Sequence, residues 1–96
     1  MSQTIETTTS VTVIHGAMLS FETIGVADAE AAPQRVRELH ETLLRVIDGT
    51  VTLELAGKTR ALTIEDEARI AAGTPHRLWS TGDGDARIVQ EFRRIH

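Results

Sequence analysis

The stretch PQRVRELHETLLRVID, residues 33–48, admits two readings, and the fold turns on which one holds. Its apolar residues Val36, Leu39, Leu43, Val46 and Ile47 fall on one face of a helix. Pro33 suits a first helical turn, and Gly49 suits a C-terminal cap. The competing reading is a strand near Gln34–Glu38, a short turn, and a second strand from Thr42 to Ile47. Periodicity alone leaves both open.

Downstream the pattern is less divided. Val51, Leu53 and Leu55 alternate with Thr52 and Glu54, Ala56-Gly57-Lys58 makes a tight turn, and Thr59–Leu62 starts a return strand. Ile64-Glu65-Asp66 is a second turn before Ala68–Ala71, and Gly73-Thr74-Pro75 is a third. His76–Ser80 reads as a short strand and Thr81–Asp85 as a polar turn. Ala86–Arg93 reads as a final strand, with Ile88 and Phe92 on one side of the pleat and Val89 on the other. Upstream, Val11, Val13 and His15 alternate with Thr12 and Ile14 until Gly16. Met18–Ile24 is β-prone, with Leu19, Phe21 and Thr23 on one face, and residues 26–33 form a loop. Residues 1–10 are polar and Thr-rich, expected as a tail or as an edge strand exchanged with a partner chain. Short strands separated by frequent turn signals indicate a sandwich or barrel.

The chain has 96 residues, enough for one domain and one core. Three aromatics, Phe21, Trp79 and Phe92, leave that core to Val, Ile, Leu and Ala. The absence of Cys removes disulfides, thiolate metal sites and a Cys nucleophile. No apolar run approaches the roughly 20 residues that span a bilayer. The N-terminus has no basic stretch followed by an apolar one, so a cytoplasmic location and no membrane partner are expected. The net charge is −4, and residues 1–34 hold four acidic residues and no Lys or Arg. Without a large basic cluster, nucleic acid is not an expected partner. Nine of the ten basic residues are Arg, whose forked guanidinium suits carboxylates if it faces inward.

The run from Arg45 to Phe92, RVIDGTVTLELAGKTRALTIEDEARIAAGTPHRLWSTGDGDARIVQEF, resembles the small single-domain cupins. The likeness extends over about residues 34–94 and rests on several pieces in order. They are V-I-D-G ending at Gly49, the turn at 56–58, Asp66 in the next turn, Gly73-Thr74-Pro75-His76, and the closing A-R-I-V-Q-E-F. It implies an all-β, cupin-type β-barrel (a double-stranded β-helix or jelly roll) over residues 11–96. It therefore selects the strand reading of residues 33–48, since tertiary context overrides local propensity. It also implies a homodimer, which the Thr-rich first segment suits as an exchanged edge strand.

The same resemblance implies a divalent transition metal held by two His one residue apart, a Glu, and a third His from a second motif. The period of two places the first pair on one barrel face. Position by position, the second-motif His falls on His76, the Glu on Thr42, and the first two His near Arg35 and Arg37. One of four usual ligands is thus in place. Sliding the gap brings in Glu38, His40 or Glu41 but does not restore the two His. Glu65 is a further departure, standing where the family often has Gly before the turn Asp.

A pocket with one His and two Arg repels a cation and suits an anion. Our expectation is therefore a cupin with a degenerate metal site and no cofactor, binding a polar or anionic small molecule. His76 would be the catalytic acid or base, and Arg35, Arg37, Thr42, Leu78 and Gln90 would line the substrate site. The alternatives are a metal-dependent dioxygenase or isomerase using His76, His40 and Glu41, and a non-catalytic sensor or assembly module. The plain reading of each residue is that His76 bonds within the barrel, that Arg35 and Arg37 lie at its rim, and that His40 is an exposed turn residue.

Overall fold

The structure is a computed structural model that describes residues 8–14, 17–27 and 30–95. Residues 1–7 of the expected tail, and His15 and Gly16, lie outside the described residues. Eight strands follow in chain order: β1 (Thr8–Ile14), β2 (Ala17–Ile24), β3 (His40–Asp48), β4 (Val51–Leu55), β5 (Lys58–Leu62), β6 (Glu67–Ile70), β7 (His76–Ser80) and β8 (Ala86–Arg94). No helix occurs among the described residues, so none is long and apolar enough to cross a membrane.

The strands form two antiparallel sheets, one ordered β1-β2-β8-β3-β6 and the other β5-β4-β7. Alternation decides which residues meet between them. On β3, Thr42, Leu44 and Val46 point inward, and on β8 Ala86, Ile88, Gln90 and Phe92 do. Ile24, Ala68 and Ile70 complete the inner face of the larger sheet. Val51, Leu53, Leu62 and Leu78 of the smaller sheet close over them in one apolar cluster. Burial of these aliphatic side chains is the main stabilising term, at about 1.5–3 kcal/mol for each large one.

Residues 33–48 are not a helix. The structure also differs from the two-strand expectation for them. β3 begins at His40, and residues 34–38 do not form a strand. Their ladder is a single bridge, in which Arg35 and His76 exchange both backbone hydrogen bonds at 2.7 and 2.9 Å. Arg37 adds one more backbone contact, accepting from Gly73 N at 2.7 Å. The segment therefore crosses the barrel mouth as a strap fixed to the start of β7. At the other end of the chain, β1 begins at Thr8. The expected boundary at residue 10 thus falls inside that strand, and Thr8, Thr9 and Ser10 pair within the chain with Thr23, Glu22 and Phe21.

The turns follow their residues. Between β4 and β5, Ala56 and Gly57 both have positive φ, at 49° and 78°, which a two-residue hairpin turn matched to strand twist needs. Gly49 has φ 80°, and a Cβ there would sit 3.0 Å from Ala86 Cα. Only glycine meets both conditions at once.

The outer face of the larger sheet carries Leu19, Phe21, Leu43, Ile47 and Val89 around an open groove of about 630 Å³. Phe21 is 43% exposed there, so the apolar alternation of β2 marks the outside of the barrel.

Candidate functional site

The inner face changes character toward the mouth. Past the aliphatic cluster it presents Ser20 and Glu22 from β2, Thr42 from β3, His76 from β7 and Gln90 from β8, all buried. A buried carboxylate requires charge compensation and hydrogen-bond partners. Glu22 obtains both from Arg35 on the strap. Arg35 Nη1 donates to Oε1 at 2.8 Å and Nη2 donates to Oε2 at 2.6 Å. Gln90 Nε2 donates to Glu22 Oε1 at 3.0 Å. Since an ionised carboxylate only accepts, this contact fixes the amide, and Gln90 Oε1 is its free end.

His76 is fixed by its own turn. Its Nδ1 lies 3.1 Å from Thr74 O, and a carbonyl only accepts, so Nδ1 carries the proton and donates. In the neutral ring Nε2 is then an unprotonated acceptor. Burial of the ring holds the pKa of His76 below its ordinary 6.5, and the positive charges of Arg35 and Arg37 push the same way. The Thr74 hydrogen bond opposes them without reversing the shift. The imidazole is neutral at pH 7.

Arg37 completes the site. Its guanidinium carbon stands 4.0 Å from the centroid of the Phe92 ring, a cation–π contact that holds the side chain over the mouth. A cavity of about 480 Å³ opens among Arg35, Arg37, Thr42, His76 and Gln90, with Gln34 and Val36 at its rim. That volume is within the range of small-molecule pockets. The outer groove is larger, but its polar residues Arg45, Glu67 and Arg93 are exposed, whereas the inner cavity is lined by the buried Thr42, His76 and Gln90, so the inner cavity is the candidate site.

The structure thus brings five of the expected residues together: Arg35, Arg37, Thr42, His76 and Gln90. Three others lie elsewhere. Leu78 packs in the apolar cluster, and Glu41 pairs with Arg69 at 3.5 Å on the opposite side of β3 from Thr42. His40 is the first residue of β3, half-buried and opposite Arg94, and does not line the cavity. Both Arg35 and Arg37 are at the cavity, but the Arg35 fork is taken up by Glu22. Sequence reasoning missed Glu22 and the Phe92 platform under Arg37. The signal for Glu22 was its alternation with Ser20 and Ile24, obscured because Leu19 and Phe21 look like the core-facing set.

The sequence profile of the cupin domain matches residues 24–90. The chain belongs to the cupin family. Solved cupin structures agree in fold. The Schizosaccharomyces pombe Cnp3 cupin domain superposes with a TM-score of 0.81 at 7% identity, covering 98% of this chain and 66% of that one. The hydroxypropylphosphonic acid epoxidase of S. wedmorenis, in complex with fosfomycin, gives 0.79 at 13% identity, covering 88% and 50%. A cupin protein from Bacteroides fragilis gives 0.72 at 15%, covering 84% and 68%. This cupin spans about half to two thirds of the length of the first two structures. No curated protein sequence matches it.

Cupins often hold a metal, and neighbouring epoxidase structures contain Fe(II) or Co(II). The residues of this cupin do not fit that role. Among the described residues no three His, Cys, Asp or Glu side chains converge. The cavity lining offers one imidazole, two amides and a hydroxyl, and the nearby Glu22 carboxylate has both oxygens held by Arg35. Two guanidinium groups beside them oppose a cation.

Proposed function

We propose that this cupin binds a small anionic molecule inside the barrel mouth and presents it to His76 for proton transfer that involves no metal. The observation that carries the reading is the pairing of a neutral, buried imidazole with an uncommitted guanidinium on one cavity. His76 Nδ1 is spent on Thr74 O, so Nε2 faces the ligand as a base. Arg37 has no ion-pair partner among the described residues, so it supplies the attractive charge. Arg35 acts differently: by neutralising Glu22 it keeps an unpaired carboxylate from repelling an anion.

The test is a calorimetric titration of the purified protein with small carboxylates, alongside the R37Q and H76Q variants. Wild type is expected to bind, R37Q to lose about tenfold or more in affinity, and H76Q to keep most of it. Indifference of both wild type and R37Q to every carboxylate would remove the reading. So would equal affinity in the two proteins.

A further inference from the structure

The polar atoms left over in the cavity specify the ligand more narrowly than its charge does, an inference that rests on the anion-binding reading above. Thr42, His76 and Gln90 are 1%, 3% and 3% exposed, and all three line the cavity. Each has a polar atom without a partner among the described residues. Gln90 commits its NH₂ to Glu22, leaving Oε1 as an acceptor. His76 commits Nδ1 to Thr74, leaving Nε2 as an acceptor. Thr42 Oγ1 makes no hydrogen bond among the described residues and can accept or donate. These atoms open onto the cavity, since Arg77 Nε is the only buried side-chain polar atom without a partner among the described residues, so a ligand that displaces water from them must bring donors of its own.

The charges then narrow the donor. Glu22 is negative, Arg35 and Arg37 are positive, and His76 is neutral, so the groups around the cavity sum to one positive charge. A monoanion neutralises that sum, whereas a dianion would leave a buried negative excess. An ammonium donor would add a second positive charge beside two guanidinium groups, so the donor is a neutral hydroxyl. We propose that the ligand is a hydroxy monocarboxylate, with its carboxylate on Arg37 and a hydroxyl donating to Gln90 Oε1. The rim residue Val36 leaves the far side of the ligand against an apolar wall.

The experiment compares matched probes by calorimetry or by amide shifts of ¹⁵N-labelled protein. The pairs are lactate with propionate, 3-hydroxybutyrate with butyrate, and gluconate with hexanoate. Alanine serves as the ammonium probe and malate as the dianion. In at least one pair the hydroxylated member is expected to bind about tenfold tighter, the value of one well-made hydrogen bond to a buried acceptor. Alanine is expected to bind more weakly than lactate, and malate no tighter than 3-hydroxybutyrate. The variant Q90L should erase the preference within the pair, and circular dichroism establishes that it still folds. Q90M, which also lacks the amide oxygen, supplies the same comparison if it does not. Equal binding of both members of every pair would overturn the hydroxy-acid assignment and leave the anion site standing. A preference for alanine or malate would overturn it too. Failure of all eight carboxylates to bind would remove both.

Discussion

Arg35 and Glu22 meet through two hydrogen bonds, 2.8 and 2.6 Å long, that join a strap residue to a strand residue thirteen positions earlier. The pair anchors the barrel mouth, because the Glu22 side chain is almost wholly enclosed. Removing Arg35 leaves that carboxylate buried without its counter-charge. R35A is expected to lower unfolding free energy by about 2–3 kcal/mol, reduced from the fully buried case because Arg35 itself is a quarter exposed. Urea denaturation measures this. Adding E22Q to R35A should recover part of the loss, whereas E22Q alone strands the guanidinium.

His76 makes stability depend on pH in a defined direction. Its pKa in the folded protein is below 6.5, and in the unfolded chain it is near 6.5. As pH falls below about 6.5 the unfolded chain takes up the proton first, so the unfolded state gains. The contribution of a neutral His76 is therefore complete above about pH 6.5 and is lost as pH drops toward the folded-state pKa. Denaturation curves between pH 7.5 and 5 should show falling stability in the wild type and a flatter profile in H76Q. Parallel profiles would count against it.

Glu65 offers a gain. It occupies the turn before Asp66 with φ 74°, a conformation that costs a residue with a Cβ about 1 kcal/mol or more. The turn is otherwise well made, since Asp66 Oδ2 accepts from Thr63 N at 2.9 Å and Asp66 N donates to Thr63 O at 2.9 Å. E65G is expected to raise stability by about 0.5–1 kcal/mol, part of the relief being offset by unfolded-state entropy. A thermal melt reads it directly.

Gly49 predicts the opposite sign. G49A would combine a left-handed φ with a Cβ 3.0 Å from Ala86 Cα and 3.3 Å from Asp85 O. Neither contact is a flexible side-chain end, so the backbone between β3 and β4 must shift. A loss of about 2–4 kcal/mol is expected by denaturant titration, with reduced soluble yield.

Much of the barrel was legible because its strands alternate plainly, as in Val51–Leu55 and Ala86–Arg93. Residues 33–48 were not, and the reason is specific. The helical stripe there is composed largely of residues outside the core. Val36, Leu39 and Ile47 are 46%, 56% and 41% exposed, and Leu43 lines the outer groove. The inward set is Thr42, Leu44 and Val46, and one of its members is polar because it faces the cavity rather than the aliphatic cluster. The family resemblance resolved what periodicity left open. In the site, His76 followed from its place after Gly73-Thr74-Pro75, whereas Glu22 sits on a strand whose apolar residues face away from the core. A buried acid there is apparent only once its guanidinium partner is seen.

The strap across the mouth is tied down at Arg35 and Arg37, by backbone bonds to His76 and Gly73. Before it, the bridge between Val26 and Ser80 and the buried Ala32 fix the chain independently of those bonds. Doorway and wall are thus separable pieces of this cupin. The exposed residues Glu30, Ala31, Pro33 and Gln34 can be rewritten around a retained Ala32, which is 3% exposed, while the imidazole and the guanidinium keep their mutual alignment. Selectivity for the size of an incoming molecule can therefore be retuned without reopening the question of whether the barrel folds.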